Sequence, residues 1–377
     1  MKLLHVITAL GVGGVERLLL SLARARAAEG RTPFEIAYLK GAGELRAAFE
    51  ACGVRVHALE APHLHGLPAA ARRLRRLARE RRIDLVHSHL LQGDFTAVRA
   101  LRGALPHLRA QHNVERALQR ASVRWIYRRA LAGRTPLLVP TTCVREFLIE
   151  RCGEPRELVS VVPYGLASTR TEDEARWQRE RAPRRAAWSV GARERVALVL
   201  ARLAPQKGQR ALLRALRSQP PAAEWILVFA GAASSAREQR ALEAELADHP
   251  WRARIRMVGP SPEPELCLRS ADALAVPSLW EGFGLVALEA LQAGTPVIAH
   301  DLPVLREVLG ASARFVAMLD GAAWCAALRE LADADPRCAE RVRSGRARAA
   351  EHFALARLEE SLEHHYAALL RDEHSAT

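Results

Sequence analysis

Two glutamates flank a glycine-containing turn between Pro277 and Glu289. Glu281 comes directly before the turn, and Gly282 and Gly284 lie within it, where a buried strand is predicted to lead into a helix. The start of a helix offers free backbone N–H groups and the positive end of the helix dipole, which together bind anions such as phosphate. Glycines let a ligand approach the main chain, and carboxylates accept hydrogen bonds from sugar or ribose hydroxyls. The stretch therefore predicts a cradle for a nucleotide sugar.

A second candidate site follows the predicted strand at residues 196–200, where Arg202 and Lys207 precede a predicted helix. Arginine can bind a phosphate through two donors, whereas lysine supplies a compact point charge, so a diphosphate can use both. Lysine is rare in this arginine-rich chain, since Lys2 and Lys40 are the only others. The alternative is a solvated basic turn, and the two cations alone leave both interpretations open.

Strand and helix patterns alternate along the chain in two series, which indicates an α/β fold with two parallel sheets covered by helices. The predicted strands cover residues 3–7, 34–39, 54–59, 85–88, 108–111, 137–140 and 159–162, then 196–200, 225–230, 255–258, 273–276, 296–299 and 314–316. We expect two doubly wound, Rossmann-like domains over 1–168 and 169–352, facing a central cleft that holds the active site. The polar, strand-free segment 167–188 is the predicted linker.

The positive charge is concentrated in the first half of the chain. Residues 1–168 hold 27 Lys and Arg against 14 Asp and Glu, a balance of +13, whereas the remainder is close to neutral at +1. Much of the excess lies in the segments 72–82 and 116–134, the second of which also contains Trp125. A surface formed by such basic segments attracts anionic lipid or polyphosphate. Arginine-biased helices that are simply solvated on their outer side are the equally weighted alternative.

Cysteine usage and hydropathy favour a cytoplasmic protein. The six cysteines show no paired CxxC spacing and are too sparse for a disulfide scaffold, which indicates a reducing compartment and no structural zinc. The apolar N-terminus resembles a signal peptide, but His5 and Thr8 interrupt it. No segment approaches the roughly 20 apolar residues of a membrane span.

Two patterns suggest metal ligands at first sight. His87 and His89 alternate on a predicted strand and so share one face, but the sequence shows no third ligand, and a hydrogen-bonded pair lining the acceptor side is the favoured interpretation. Asp333 and Asp335 imitate an Asp-x-Asp metal motif, yet their place after a late helix predicts capping and solvation. We therefore predict no metal site.

The motifs, taken in order, resemble those of glycosyltransferase family 4, a group of retaining enzymes with the GT-B fold. Each motif alone is weak, but the ordered series covers nearly the whole chain and is specific. The matching stretches are the glycine-rich loop at 13–17, an Asp-x-x-His-x-His strand at 84–89, a turn at 162–165, the diphosphate loop at 201–208, Glu281 with Glu289 in an E-x7-E pattern, and 294–298.

The resemblance implies a role for each matching residue. Arg202 and Lys207 would hold the donor diphosphate, and Glu289 would hold the ribose. Glu281 would bind the transferred sugar together with the backbone of the turn, and His112 would bond that sugar near the reacting carbon. The remaining residues of the predicted donor site are Gly13, Gly14, Gly282, Phe283, Gly284 and Leu285. The resemblance also implies that a C-terminal helix in 353–377 crosses back to the first domain.

The implied reaction is transfer of a hexose from a nucleoside diphosphate sugar, with a UDP-sugar favoured, to a saccharide or lipid-linked acceptor. The anomeric configuration would be retained, with no metal and no cofactor beyond the co-substrate. Peripheral contact with an anionic membrane is part of this expectation, and nucleic acid is not. The alternatives are a nucleotide-sugar epimerase or isomerase, a basic nucleic-acid-binding protein and a catalytically silent relative.

Two departures from the family pattern affect the predicted site. Tyr164 stands where many relatives have asparagine, and the segment 301–307 carries less glycine than is usual before its glutamate. We attach no change of activity to the tyrosine, and the second departure leaves the shape of the sugar pocket open.

Overall fold

The computed structural model describes the chain apart from residues 32, 62, 115, 168–170, 220, 221, 223, 376 and 377. The chain forms two compact units. Unit 1 comprises Met1–Ala167 together with Phe353–Thr377, and unit 2 comprises Ser168–His352. All six cysteines are free thiols.

A seven-stranded parallel sheet forms the centre of unit 1. Its strands are β1 (Leu3–Ala9), β2 (Glu35–Lys40), β3 (Arg55–Ala58), β4 (Leu85–His89), β5 (His107–Ala110), β6 (Leu137–Val139) and β7 (Val159–Val161). They lie in the order β3-β2-β1-β4-β5-β6-β7, so the strand order reverses between β1 and β4. In an open α/β sheet, ligands bind beyond the carboxyl ends of the strands at such a reversal.

Helices cover both faces of this sheet. They are α1 (Gly14–Ala28), α2 (Arg46–Glu50), α3 (Leu67–Arg81), α4 (Leu90–Leu101), α5 (Ala121–Ala130), α6 (Thr142–Phe147) and, near the C-terminus, α15 (Leu355–Ser375). Alternation along β1 separates the two faces, because successive side chains of a strand point in opposite directions. Leu4 and Val6 join a core cluster with α3 and α4, whereas His5 borders a cavity with leucines of α1 and α15.

Helix α15 is anchored in unit 1 by backbone and side-chain contacts. Leu166 pairs with Ala354 as an isolated bridge, and Gly165 approaches so closely that an added Cβ would lie 2.6 Å from the Ala354 carbonyl oxygen. Further along α15, Glu359 accepts a 2.8 Å hydrogen bond from Arg26 Nε of α1. The tail therefore completes the packing of unit 1.

A buried ion pair joins Arg109 of β5 to Glu154. Arg109 and Glu154 are both fully buried, and two guanidinium nitrogens donate to the two carboxylate oxygens at 2.8 and 3.1 Å. Tyr127 also donates to Glu154, and Thr135 accepts from Arg109 Nε at 3.0 Å. Since the surroundings satisfy both charged groups, the pair can exist away from water.

Unit 2 contains a six-stranded parallel sheet. Its strands are β8 (Arg195–Leu200), β9 (Trp225–Ala230), β10 (Ile255–Gly259), β11 (Ala273–Val276), β12 (Val297–His300) and β13 (Arg314–Val316). The order β10-β9-β8-β11-β12-β13 is that of a Rossmann sheet, and it reverses between β8 and β11. Both units are thus Rossmann-like α/β structures, as the sequence predicted.

The helices of unit 2 follow its strands in turn. They are α7 (Thr171–Ala187), α8 (Gln209–Arg217), α9 (Ala236–Ala247), α10 (Pro264–Ser270), α11 (Leu285–Ala293), α12 (Pro303–Leu309), α13 (Gly321–Ala332) and α14 (Pro336–His352). Asp335 accepts a 2.8 Å hydrogen bond from the Arg337 backbone nitrogen at the start of α14. The Arg337 side chain also hydrogen-bonds to Asp335 and lowers the pKa of Asp335 to about 2. The prediction of capping is therefore confirmed for Asp335.

The segment predicted as a linker is instead mostly helical. Helix α7 occupies residues 171–187 of the predicted 167–188, and residues 168–170 lie outside the described part of the chain. Arg181 and Arg185 both bond Asp272, at 2.9 and 2.8 Å, and Trp177 is buried. The segment is polar because it forms ion pairs within unit 2, which its composition alone did not reveal.

Candidate active site

Two of the predicted site residues are directly bonded in unit 2. The Lys207 ammonium lies 2.5 Å from Glu281 Oε1, and Ser278 Oγ donates to the same oxygen at 2.7 Å. The Glu281 side chain is 6% exposed and that of Lys207 is 20% exposed. A cation and a carboxylate are thus held together at the carboxyl ends of β8 and β11, beside the reversal in strand order.

The loops after β8 and β11 are joined by backbone contacts as well. The Leu279 nitrogen donates to the Gln206 carbonyl oxygen at 2.8 Å, and Gln206 Nε2 donates to the Trp280 carbonyl oxygen at 3.1 Å. Gly208 has a positive φ of 67°, and an added Cβ would lie 1.7 Å from the Pro277 carbonyl oxygen. Only glycine fits both the backbone conformation and the close approach at this position.

Helix α11 begins immediately after the second loop. Gly284 precedes its first residue with φ of 89°, and a Cβ there would lie 2.6 Å from Leu305 Cδ2. Phe283 is 3% exposed and anchors the turn in the core, while Leu285 and Glu289 are half-buried. The start of α11, with Gly282 on the approach to it, therefore has the geometry of an anion site beside Glu281.

Arg202 lies in the same loop as Lys207 but has a different environment. Its side chain is exposed, while its backbone carbonyl oxygen accepts a 2.8 Å hydrogen bond from Gln209 Nε2. Because the backbone is held and the side chain reaches solvent, Arg202 can close on a bound anion without first breaking a buried contact.

The remaining predicted residues lie in unit 1. Gly13 is the N-cap of α1 in an extended conformation, and Gly14 is the first residue of that helix. An added Cβ on Gly13 would lie 2.2 Å from Glu16 Oε2. His112 follows β5 and lines one cavity together with Val15 of α1. The glycine loop and the histidine thus border a common region of unit 1.

Both ring nitrogens of His112 have partners within unit 1. Nε2 lies 2.9 Å from His89 Nδ1, and Nδ1 is hydrogen-bonded to the Tyr164 hydroxyl. Burial lowers the pKa of His112 to about 3, so the imidazole is neutral at pH 7. A sugar hydroxyl could bond this ring only by replacing the tyrosine or the neighbouring histidine.

The histidine network includes residues that the sequence did not indicate. His5 Nδ1 lies 2.8 Å from His89 Nε2, and His87 Nδ1 lies 2.8 Å from the Tyr366 hydroxyl of α15. His87 and His89 are therefore each hydrogen-bonded, but to other residues rather than to each other. The position of His5 within an apolar strand was the local sign that it could take part in such a network. No local pattern in the sequence indicates that Tyr366 contacts His87.

Comparison with known proteins agrees with the fold and with the motifs. Residues 13–165 match the model of the glycosyl transferase 4-like domain, and residues 181–347 match that of glycosyl transferases group 1. A D-inositol 3-phosphate glycosyltransferase from Nocardia farcinica is 31% identical over 318 residues, which cover 78% of this chain and 68% of that protein. A lipopolysaccharide core biosynthesis mannosyltransferase from Rhizobium meliloti is 32% identical over 159 residues, covering 39% and 44% of the two chains.

Solved structures show the same architecture. Anabaena Alr3699/HepE in complex with UDP and glucose superimposes with a TM-score of 0.82 at 18% identity, covering 97% of this chain and 99% of the other. WaaG, a glycosyltransferase involved in lipopolysaccharide biosynthesis, gives a TM-score of 0.72 at 15% identity, covering 96% and 98%. At these identities the likeness establishes the fold.

The two Rossmann-like units and their ordered motifs define a glycosyltransferase with the GT-B fold. The chain belongs to the glycosyltransferases of family 4 type. Within the described part of the chain, none of the helices combines the length and the hydrophobicity that a membrane span needs.

Proposed function

We propose that this glycosyltransferase moves a hexose from a nucleoside diphosphate sugar, preferably a UDP-sugar, to a saccharide or lipid-linked acceptor. The observation that carries the proposal is the Lys207–Glu281 pair beside the start of α11, because it joins a cation suited to phosphate with a carboxylate suited to sugar hydroxyls. Anabaena Alr3699/HepE, which shares the fold, forms a complex with UDP-glucose, and this supports the donor class.

The cations account for departure of the diphosphate. As the bond between the anomeric carbon and the phosphate oxygen breaks, negative charge grows on the leaving group, and fixed positive groups stabilise that charge. Arg202 and Lys207 supply two such groups in one loop. We therefore propose that departure requires no divalent ion.

The proposed reaction retains the configuration at the anomeric carbon. The acceptor oxygen attacks from the face that the diphosphate leaves, and the acceptor proton passes to an oxygen of the departing phosphate. Glu281 then acts as a hydrogen-bond acceptor for the sugar and not as a covalent nucleophile, since its carboxylate is already engaged by Lys207 and Ser278. Glu289, which lies one turn after the start of α11, accepts hydrogen bonds from the ribose hydroxyls.

His112 contributes an uncharged contact in this proposal. Its low pKa keeps the imidazole neutral throughout the neutral pH range, so it binds the sugar without adding positive charge near the reacting carbon. The Tyr164 hydroxyl is the partner that the sugar replaces, because the other nitrogen faces the buried His89.

A donor panel tests the proposed reaction. UDP-, GDP- and ADP-hexoses are each incubated with the protein, and release of the nucleoside diphosphate is measured with and without saccharide acceptors. NMR of the product then gives the anomeric configuration. Inverted product or a trapped glycosyl-enzyme adduct would overturn retention, and conversion of the donor alone into another sugar nucleotide would identify an epimerase.

Peripheral contact with an anionic membrane is the second part of the proposal, and helix α5 supports it. Trp125 and Ile126 are 62% and 48% exposed, and Arg128 and Arg129 beside them are also exposed. Aromatic and basic side chains together suit the surface of an anionic bilayer. In a vesicle sedimentation assay, the wild type should bind anionic vesicles and Trp125→Ala should bind them less. Equal binding of both variants to neutral and anionic vesicles would contradict this contact.

A further inference from the structure

Three buried histidines of unit 1 form a cluster that the sugar-transfer chemistry does not require. They are His5, His87 and His89, which are 1%, 2% and 2% exposed. One ring nitrogen from each lies within 4.8 Å of one from each of the others, and no other group of three metal-ligating side chains meets this distance among the described residues. We propose that these three imidazoles bind a divalent transition-metal ion such as Zn²⁺. The proposal does not depend on the proposed sugar transfer.

The register of two neighbouring strands explains why the rings converge. In the parallel pairing of β1 with β4, His5 lies opposite His87. His89 is two residues beyond His87, so all three side chains project from the same face of the sheet. The sequence showed only the pair on β4, and the missing third ligand comes from a strand about eighty residues earlier.

The outer nitrogens of two rings are already held, as is usual for metal-binding histidines. His87 Nδ1 is bonded to the Tyr366 hydroxyl at 2.8 Å, and His89 Nδ1 is bonded to His112 Nε2 at 2.9 Å. These contacts fix the ring orientations and leave Nε2 of His87 without a partner in the part of the chain that the structure describes, while Nε2 of His89 shares a hydrogen bond with His5 that an ion bound to both rings would replace. His5 Nδ1 lies 2.8 Å from His89 Nε2.

One of these nitrogens is unsatisfied among the described residues. His87 Nε2 is buried and has no hydrogen-bond partner, and the same is true of Gln111 Oε1. Both residues line a cavity of about 40 Å³ that also borders His5 and His89. That volume exceeds the roughly 15 Å³ that one water needs, so the cavity has room for an ion with a water as its fourth ligand.

The chemistry of the ligands indicates the class of ion. Imidazole suits Zn²⁺, Co²⁺, Ni²⁺ and Cu²⁺, whereas Mg²⁺ and Ca²⁺ prefer oxygen ligands. An imidazole binds metal through an uncharged ring nitrogen, and the three buried rings bring such nitrogens within 4.8 Å of one another. Ionisation of a zinc-bound water, whose pKa is about 7 in favourable sites, would lower the charge that the buried site must carry.

Binding at this site would also fix the proton on His112. A metal on His89 Nε2 requires the proton of His89 on Nδ1, which then donates to His112 Nε2. A neutral His112 must in that case carry its own proton on Nδ1, toward the Tyr164 hydroxyl. The ion would therefore select one of the two tautomers of His112.

Cobalt substitution in the untagged full-length chain tests the site directly. Metal is first removed with a chelator, and Co²⁺ is then titrated in while the visible absorption and the thermal midpoint are recorded. We expect one Co²⁺ per chain with the intense visible bands of a four-coordinate site, a raised midpoint, and displacement by Zn²⁺ but not by Mg²⁺. Octahedral Co²⁺ spectra with no change in midpoint for the wild type would overturn the proposal, whatever the variants do.

Two matched variants locate the ion. His87→Gln removes a cluster ligand, and His65→Gln removes an exposed histidine that stacks on His63 with ring centroids 5.3 Å apart. The first substitution should abolish the cobalt spectrum, and the second should leave it unchanged. The reverse result would assign the metal to the surface pair and overturn the proposal. Tyr366→Phe, which keeps all three ligands, should weaken Co²⁺ binding by about 10-fold to 100-fold.

Discussion

The Lys207 Nζ atom lies 2.5 Å from Glu281 Oε1, which bonds the residue predicted for the diphosphate directly to the residue predicted for the sugar. The two residues are 74 positions apart in the sequence, and the Rossmann order of unit 2 brings their loops together beside β8 and β11. We propose that the phosphate-binding and sugar-binding parts of the candidate site meet at this contact.

Lys207→Met should reduce both turnover and stability. Loss of the cation removes charge stabilisation from the leaving group, so we expect kcat/KM to fall by about 10²–10³-fold. The Glu281 carboxylate is left buried with Ser278 as its remaining partner, which should lower the free energy of unfolding by about 1–3 kcal/mol. Steady-state kinetics and urea unfolding measure the two effects.

The double variant Lys207→Met with Glu281→Gln separates these two roles. Neutralising both partners removes the unpaired charge, so stability should largely recover while activity stays low. Arg237→Met, an exposed arginine of α9, is the control and should change neither quantity. Recovery of turnover in the double variant would show that the pair only supports the fold.

Gly208→Ala should disrupt the diphosphate loop. Its added Cβ would lie 1.7 Å from the Pro277 carbonyl oxygen, so the two loops must separate. Gly30→Ala is a matched control, because its φ of 66° is nearly the same but nothing lies within 4 Å of its added Cβ. We expect the control to lose only about 1 kcal/mol of stability, and Gly208→Ala to lose more and also to bind the donor poorly. Equal unfolding midpoints for the two variants would contradict the close approach.

Glu154→Gln should strongly destabilise unit 1. The substitution removes the carboxylate charge that pairs directly with the fully buried Arg109 guanidinium, and breaking such a pair costs about 3–5 kcal/mol. Glu146→Gln is the control, because its partner Arg156 is more than half exposed and surface pairs contribute about 0–1 kcal/mol. Urea denaturation followed by circular dichroism distinguishes the two variants, and similar losses would count against a buried pair.

Acid should destabilise the protein through its buried histidines. Burial lowers the pKa of His107 from 6.5 to about 3, so between these pH values the unfolded chain binds a proton that the native chain does not. The contribution of the neutral His107 to the free energy of unfolding is therefore fully present above about pH 6.5. It falls as the pH drops, by up to about 1.4 kcal/mol per pH unit.

Replacing His107 should make the stability of the protein depend less on pH. His107→Gln keeps a polar partner for Ser88 Oγ, which lies 2.8 Å from His107 Nε2, but it cannot be protonated. Urea midpoints between pH 5 and pH 7 should change less steeply in this variant, by about one proton, whereas the exposed His65→Gln should match the wild type. An unchanged slope in His107→Gln would mean that His107 is not kept neutral in the native chain.

The strands and the order of the motifs could be predicted because they depend on local patterns. Short apolar runs between turn residues located the thirteen strands of the described residues to within about two residues, and the alternation of strands with helices predicted the two Rossmann-like sheets. Helix α7 was missed because its polar sequence resembles a linker. Arg181 of this helix pairs with Asp272, which lies about ninety residues away. The local composition of a segment cannot indicate such a distant contact.

The candidate site was predictable in part for the same reason. Glu281 and the glycines beside it form one continuous stretch, so the sequence alone was enough to propose a donor-binding site there. The bond between His112 and Tyr164, and the approach of His5 to His89, depend instead on the pairing of distant segments. Such contacts arise only when the sheet of unit 1 is assembled.

Isothermal titration tests the proposed donor site: UDP-glucose, and in parallel GDP- and ADP-glucose, are titrated into the wild type, Arg202→Ala, Lys207→Met and Arg237→Ala. We expect one of these donors to bind the wild type with a stoichiometry of one. Affinity should fall by about 10-fold to 100-fold in Arg202→Ala and Lys207→Met, because a hydrogen bond to a charged group contributes about 1.5–3 kcal/mol, and Arg237→Ala should match the wild type. Equal affinities in all four proteins, or no binding of any nucleotide sugar, would contradict the proposed donor site.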